Sequence, residues 1–540
     1  MGKQKSMTQL HNNTAEVLIV GAGPSGLMMA CQLAIHGVHF RIIDKKEHPS
    51  AYSGALIVHA RSVEIFNQMG ISEKVVEAAI RANDLSIVFN GKKTAHISLK
   101  NIGQNFTKFP NLYLIEQSKT EQLLIDFVFA KGYPVERKTE LKSFIQDETG
   151  VTSVLKLPEG EEETIKTKYL IAADGGDSTV REQLKIPFAG KRHPVSLFII
   201  DCKAELDLPP DEMCFSFSDA ATSGFFPMKE GRKRIDGVIP MELEGNQNIT
   251  FDDIEKKFAE RLRMKIKLYN PEWFSVSHSN QRYALSYQNN RCFLMGDAAH
   301  TFTPVGAQGM NTGLQDAYNL AWKLAFVIQG KAKSTLLDTY SAERQNIAKK
   351  LVRSTGRIYN LVTSQNSFTK IFRLHVLPHL MKWILPLIEK QNIFRKFCFN
   401  AISEIGINYR KSPLSYNASL GNFPSHAPKP GDRMPYLVFT DSDKEINIQE
   451  KIKETGFTLF IFTKSSSPLE IIKITEKYKN VISFETIQFT SETKLLYDHL
   501  GIEDSGCYLI RPDMYIAFRL STLNTRHLNN YLQQFLMVHQ

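Results

Sequence analysis

The apolar positions along the chain fall into runs of two kinds, and their succession predicts the elements. Glu16 to Val20 is a short, nearly continuous apolar run that suits a buried strand, and Leu27, Ala30, Leu33 and Ala34 then recur at helical spacing. Val38 to Ile43 repeats the strand pattern. Between Ala60 and Gly70, Val63, Ile65, Phe66 and Met69 predict a helix with its apolar side inward, and Arg61 stands near its start. Leu85 to Leu99 reads as two strands joined at Asn90-Gly91, a pair that favours a tight hairpin turn. A strand at Tyr113 to Ile115 leads into a helix that opens at Glu116 and Gln117 and runs through Leu123, Leu124 and Phe127. Period-two alternation returns from Leu141 to Lys156, and Thr167 to Ala173 is another apolar strand.

From about Phe188 to Arg282 the texture changes to alternating, aromatic-rich segments with little helix, which predicts an antiparallel sheet inserted between two halves of an α/β domain. Its segment Gly224-Phe225-Phe226-Pro227-Met228 is either sheet core or the wall of an apolar pocket. Cys292 to Met295 suits a strand, and Leu314, Ala317, Tyr318, Ala321 and Leu324 mark a long helix. Leu351 to Ile407 mixes Phe, Ile and Leu with Lys and Arg; of the two places such helices take, against a sheet or on a membrane, the sheet is expected. Pro413 to Pro435 reads as a linker or docking segment. Beyond it, Phe457 to Phe462, Val481 to Phe489, Cys507 to Arg511 and Met514 to Phe518 are strands between helical stretches. This last unit is expected to fold separately, so a chain ending near Ser412 should keep its ligand. The expected boundaries are 14–188 and 283–410 for a split α/β domain, the second part carrying the helical segment, 189–282 for the inserted sheet and 411–540 for the C-terminal unit.

With 540 residues the chain exceeds one core, and 42% hydrophobic with 23% charged residues describes a soluble globular protein. No apolar run reaches the ~18 residues of a membrane span, and the polar start MGKQKSMTQLHNN lacks the apolar core of a secretory signal, so a cytoplasmic location is expected. The net charge of +10 is spread over the whole chain, which argues against a nucleic-acid face and leaves a general attraction for anionic small ligands. Cysteines 31, 202, 214, 292, 398 and 507 form no CxxC pair and no zinc-like spacing, so reduced, buried thiols and no metal site are expected.

The candidate chemistry is concentrated at the C-terminal ends of the strands. Gly21-Ala22-Gly23-Pro24-Ser25-Gly26 stands between the first strand and first helix, the context in which GxGxxG binds a dinucleotide pyrophosphate. Asp44 ends the second strand, about 20 residues on, where an acid can hold ribose hydroxyls. Asp174 and Asp297 also stand at the ends of apolar strands, each beside glycine. Three such acids around one parallel sheet point to a single extended ligand across the strand ends, and so to FAD over a mononucleotide. The loop with Pro304, Gly306 and Gly309 opens into a helix start that can face a ring turning anionic on reduction. The expected fold is therefore a Rossmann-type FAD-binding domain with an inserted sheet. His300, inside this stretch, is expected to be structural.

Taken together, GAGPSG, DGGDSTVR and GDAAHTFTPVGAQGMNTGLQDAYNLAWKLA resemble the flavin-dependent aromatic hydroxylases, the para-hydroxybenzoate and phenol hydroxylase family, from about Glu16 to Leu351. The C-terminal unit is similar to the thioredoxin-like domain of the phenol hydroxylase and polyketide hydroxylase branches. The resemblance implies Gly21, Gly23, Pro24, Ser25 and Gly26 at the FAD pyrophosphate, Asp44 with Lys45 at the adenosine ribose, and Arg61 and Gln117 near the phosphate and ribityl chain. It implies Asp297 on the ribityl chain, and Asp174 and Arg181 in the motif serving both FAD and the nicotinamide nucleotide. Pro304 would lie at the flavin edge where oxygen reacts, the amides from Gly306 through Gly309 to Met310, with Asn311, would face the N1 and O2 side, and Gly224 to Pro227, with Phe225, Phe226 and Pro227, would cover the substrate.

Two departures stand out. Relatives carry a basic residue where this chain reads Ser53-Gly54-Ala55, and Lys464-Ser465-Ser466-Ser467-Pro468 takes the place of a thioredoxin CxxC, which excludes thiol redox there. The implied activity is that of a monooxygenase consuming NADPH or NADH, which passes oxygen from dioxygen through a flavin C4a-hydroperoxide to an aromatic or polyketide-like phenol. A Baeyer–Villiger or epoxidising enzyme and a non-catalytic FAD-binding redox sensor share the same motifs. A monomer or homodimer is expected.

Overall fold

The computed structural model describes residues 15–538, apart from 51–53, 247, 365, 419–422, 442, 465–468 and 523–524. Ser53 and Ser465 to Pro468, which belong to the two departures from the family pattern, lie outside the described residues, as does the N-terminal stretch of residues 1–14.

Val17–Val20 has no polar side chain, is buried along its length and sits inside a six-stranded sheet. The order is Gln288–Asn289, Cys292–Leu294, Tyr169–Ala172, Val17–Val20, Phe40–Asp44, Val135–Arg137. All pairings are parallel except that of the Gln288–Asn289 edge. Strands buried on both faces read as continuous apolar runs, which is why these were visible in sequence. Helix Pro24–Ile35 lies between Gln117–Ala130 and Gln308–Ile328 and closes the sheet. Its crossing with the last is unusually tight: a Cβ on Gly313 would stand 2.2 Å from Ser25 Oγ and 3.2 Å from Gly296 Cα.

The second large sheet has eight strands, ordered His300–Thr301, Ile266–Ala284, Phe188–Leu206, Arg232–Val238, Thr222–Pro227, Glu212–Phe217, Asp84–Phe89, Lys92–Ser98. It is therefore not only an insertion at 189–282. The hairpin around Asn90-Gly91, both at positive φ, joins it through parallel pairing of Asp84–Phe89 with Glu212–Phe217. Sequence reading also missed a helix, Phe251–Leu262. Its signals were present: a Thr250/Asp253 capping box and Ile254, Phe258 and Leu262 at four-residue spacing, all buried.

The C-terminal unit has a five-stranded mixed sheet, ordered Tyr416–Asn417, Ile516–Leu520, Ser505–Ile510, Phe457–Thr463, Ile482–Gln488. The expectation that it stands apart is not met. Trp322 and Phe326, from the long helix of the first domain, are buried in one core with Phe457, Leu459 and Leu509. Charges are buried there too. Glu343 accepts from Arg511 Nη1 at 2.6 Å, from Lys323 Nζ at 2.7 Å and from Asn319 Nδ2 at 2.7 Å, and Arg511 Nε reaches Asp513 at 2.8 Å. Burial alone would raise the Glu343 carboxyl, but Arg511 and Lys323 outweigh it and hold it well below the carboxylate range. Burial lowers Lys323 to about 8 despite its partner. The six cysteines are free, and all but Cys398 are buried.

Candidate functional site

Parallel strands deliver their C-terminal ends to one edge, and there the three acids gather. Asp44 Oδ2 accepts from the Ala22 amide at 2.8 Å and lies 3.7 Å from Arg137, so the acid is fixed to the first glycine turn; Lys45 beside it is exposed. Gly21, at φ +101°, allows no side chain, because a Cβ would meet Ala173 O at 2.3 Å, and one on Gly26 would meet Gly21 O at 1.9 Å. At Gly23 a Cβ would meet nothing within 4 Å. The turn is thus tight on its protein side and open on the other, the form that lets a backbone approach a pyrophosphate. Pro24 is the first residue of the helix, where its missing N–H costs nothing. Ser25 points into the crossing with Gly296 and Gly313.

Asp174 Oδ2 accepts from the Val180 amide at 3.2 Å, while its other oxygen is buried with no partner among the described residues, and burial raises its carboxyl above the usual range. Asp297 is the free acid of the three: among the described residues its carboxylate makes no hydrogen bond or ion pair, water reaches it, and yet desolvation raises it. Both facts are met by a group on the floor of a deep cleft. The loop beneath is held from below. Asp316 accepts from the Gly296 amide at 3.0 Å, His300 Nε2 lies 2.6 Å away and Arg344 Nε 2.7 Å. His300 is fully buried and held by Asp316.

On the other side of the cleft, Pro304 and Gly306 are exposed, with Gly306 at φ +79° and Ala307 at φ +52°, and Gly309 and Met310 begin the helix Gln308–Ile328. The first-turn amides of a helix have no intrahelical acceptor, so this loop presents donors to the cleft. Gln117 lies alongside; its Oε1 accepts from the Ala55 amide at 3.1 Å. A Cβ on Gly54 would stand 3.5 Å from the same oxygen, ordinary contact, so the missing basic side chain is not forbidden by space.

Several of the residues expected at the ligand have their side chains engaged within the protein. Arg61 is fully buried and turned away from the strand ends: Nη2 donates to Asp513 O at 2.8 Å, Nη1 to Glu64 at 3.1 Å, and the guanidinium packs on Tyr318 and Tyr515. It ties the first domain to the C-terminal unit. Asn311 has its side chain committed, accepting from His59 N at 2.9 Å and Ser62 Oγ at 2.7 Å and donating to Ile57 O and Ala307 O. Arg181 braces loops, donating to Ala298 O at 3.0 Å and Gly176 O at 2.7 Å and stacking on Phe188. Phe225 and Pro227 do not share a face with Phe226, because strand side chains alternate. Phe225 is buried with Cys214, Ile235 and Phe258 on the far side of the sheet.

Phe226 is on the near side, buried with Leu56, Ala60, Met213, Met228 and Phe399. Leu56 and Ala60 flank the segment that Asn311 fastens to the 304–310 loop, so this aromatic face is tied to that loop through the 57–59 segment. The same face carries a residue that sequence reading missed. Asp236 pairs in register with Gly224, and its Oδ1 accepts from the Gly224 amide at 3.1 Å; among the described residues the other oxygen has no partner. A Cβ on Gly224 would meet that carboxylate at 2.4 Å and the Phe226 ring at 2.8 Å, so glycine here lets acid and ring lie together. Burial pushes Asp236 up to about 6, against the lowering pull of Arg234, which is itself paired with Asp201 at 2.6 Å. A lone acid in a strand has no sequence signature. A polar concavity of about 870 Å³ bounded by Gln146, Tyr169, Arg291 and Asp338 lies at the opposite ends of the strands and contains none of these residues.

Residues 14–355 match the FAD binding domain family. Over 533 residues the chain is 28% identical to 6-methylpretetramide 4-monooxygenase of Streptomyces rimosus, covering 96% of this chain and 93% of that protein. Over 403 residues it is 30% identical to rifampicin monooxygenase of Streptomyces venezuelae, covering 73% and 79%. The solved structure of OxyS anhydrotetracycline hydroxylase from Streptomyces rimosus superposes with a TM-score of 0.76 at 26% identity, over 96% of this chain and 98% of that one. The fold and the strand-end cleft define an FAD-binding α/β protein. The chain belongs to the FAD binding domain family of flavin-dependent monooxygenases, and it is an enzyme of that kind. Its residues fit the cofactor: a glycine turn open on one side, an acid bound to that turn, and a free acid in the cleft.

Proposed function

We propose that the enzyme hydroxylates an aromatic or polyketide-like phenol held between the Phe226 face and the 304–310 loop, with FAD as cofactor and NADPH or NADH as co-substrate. The observation that carries this is the Asp236 carboxylate, one oxygen of which has no partner among the described residues, set beside the Phe226 ring on one side of the sheet. The names of the relatives, monooxygenases of tetracycline-type precursors and of rifampicin, support the substrate class. FAD, once bound and reduced, supplies the activation of dioxygen. Gly21, Gly23 and Gly26 make room for its pyrophosphate, Asp44 accepts from the adenosine ribose, Asp297 accepts from the ribityl hydroxyls, and the amides from Gly306 to Met310 stabilise negative charge on the ring's N1 and O2 side. Phe226 and its apolar neighbours exclude water, and Pro304 closes the edge of the site. Asp236 takes the phenolic proton, raising electron density on the ring carbon that receives oxygen. The C-terminal unit is proposed to be a thioredoxin-like domain without redox work; its Cys507 is buried, and burial pushes that thiol up to about 12.

The test is NAD(P)H consumption over a panel of phenols and polyketides, with mass analysis of products made under labelled dioxygen. A stimulating phenol that gains one labelled oxygen on its ring supports the reading. Oxygen inserted beside a ketone would make the enzyme a Baeyer–Villiger monooxygenase, and no stimulation by any member would leave a redox sensor. The geometry also sets the behaviour of two variants. Phe226→Ala should raise the share of reducing equivalents lost as hydrogen peroxide, since a wetter pocket wastes activated oxygen. Asp236→Asn should lower kcat/KM for neutral phenols by about a hundredfold, a modest value for a lost general base. The parent rate should rise with pH through about 6 as Asp236 ionises, and the variant should lack that limb. A substrate already present as phenolate should be spared; equal loss on both substrates would make Asp236 merely structural.

A further inference from the structure

The helices expected to pack on the sheet do so with one side only. Ser367–Ile371, the π-helical turn Phe372–Val376 and Leu377–Lys390 form one arm, Asn392–Ser403 a second, and the two meet at 111°. Their inner side, with Leu385 and Phe399, is buried in the same apolar cluster as Phe226. Their outer side leaves Phe368 85%, Trp383 78%, Phe397 74% and Ile393 74% exposed. Exposed apolar side chains on this scale mark a surface that meets another phase or molecule. Around them stand Lys382, Lys390 and Lys396, all exposed, with His375 and His379, while the whole span from 367 to 403 holds one acid, Glu389.

We propose that this bent arm docks the protein on an anionic lipid surface, with Phe368, Trp383 and Phe397 at the acyl boundary and the lysines on the headgroups. Aromatic residues on one side and lysines with almost no acid around them are the pattern of a helix lying in a bilayer interface. A second copy of the chain would bring two basic rims together, which disfavours self-association through this face. Among the described residues no single helix is long and apolar enough to cross a membrane; the two arms reach that length and apolarity only together, across their 111° bend, and their inner side is buried in the protein, which lays them on the surface. Docking stands apart from the reaction. Its use rests on the proposed function: the helices that meet the lipid also wall the Phe226 space, so a lipophilic phenol would pass from bilayer to pocket without crossing water.

The experiment is sedimentation of the full-length, FAD-loaded protein with vesicles of phosphatidylcholine alone or mixed equally with phosphatidylglycerol. Binding to the mixed vesicles, about tenfold stronger than to phosphatidylcholine alone and weakened by salt, is expected of a surface held partly by charge. Trp383→Glu with Phe397→Glu should abolish sedimentation while FAD content stays that of the parent, and Lys382→Glu with Lys396→Glu should remove the preference for the anionic lipid. No sedimentation of the parent with either vesicle overturns the proposal. So does a parent dimer that the Trp383→Glu, Phe397→Glu variant converts to monomer with vesicle binding unchanged. Because sedimentation needs no turnover, a chain that binds vesicles but oxidises no phenol would sink the reaction reading and leave docking intact.

Discussion

Glu343→Gln is expected to destabilise the folded protein by about 3–5 kcal/mol, the cost of breaking a buried ion pair by removing one partner. The carboxylate is fully enclosed and shared by Arg511, Lys323, Asn319 and Ser412, so its loss leaves cations from both units facing each other. Lys323, already lowered to about 8, is the group that would give up its proton to relieve the imbalance, so Lys323→Met in the same chain should recover part of the loss. The pH dependence has a definite sign. Glu343 is held far below its ordinary value of 4.5, so its contribution is present above that pH and is lost as pH falls further. The parent should lose stability steeply in acid, and Glu343→Gln less so. Denaturant unfolding of both chains from neutral pH into the acid range checks this; equal midpoints at neutral pH would mean the network carries no stability. By the same argument a chain ending at Ser412 should aggregate, since it uncovers Trp322 and Phe326 and strips Glu343 of Arg511.

That dependence was invisible in sequence for a physical reason. Pro413 to Pro435 has linker composition and the strands beyond it have a regular pattern, so a separate unit was the natural reading. Lys323 and Glu343 stand 20 residues apart on two successive α-helices and Arg511 stands 168 residues beyond Glu343, and no periodicity relates them. The same limit explains Arg61 and Asn311. Each stands where the family resemblance expects a ligand contact, yet the long-range partners Asp513, Tyr515 and His59 decide where the side chains go. Features set by short-range rules were legible: the parallel strands as apolar runs, the hairpin at Asn90-Gly91, and the glycine turn with Asp44 placed on it. Phe225 and Phe226 sit between these cases. Alternation separates them with certainty, but which of the two faces the cleft depends on what covers each side of the sheet. The exposed outer side of the arm at 367–403 was open for a related reason, since an amphipathic basic helix has one pattern whether protein or lipid covers it.

Asp297→Ala is expected to weaken FAD binding roughly ten- to hundredfold while leaving the protein folded, the loss of a charge-assisted hydrogen bond worth about 1.5–3 kcal/mol. The direction of the stability change separates this from ordinary damage. The Asp297 carboxylate has no partner among the described residues, and desolvation raises it above its ordinary value of 3.8. A carboxyl so raised contributes stability below that value and loses it as pH rises through its folded pKa, so at neutral pH the charged group is a cost to the FAD-free protein. Removing it should make the FAD-free form slightly more stable, the reverse of most substitutions of a desolvated acid, because none of the described residues bonds to this one. The acid at 316 makes the contrast: it holds Gly296, His300 and Arg344, and Asp316→Ala should unfold the loop along with losing FAD. Paired melting and FAD titration of the two variants distinguish the cases. If Asp297→Ala binds FAD as tightly as the parent, the ribityl chain lies elsewhere; if it lowers the melting temperature of the FAD-free protein as Asp316→Ala does, Asp297 is a structural acid and the free carboxylate in the cleft is not a ligand-binding group.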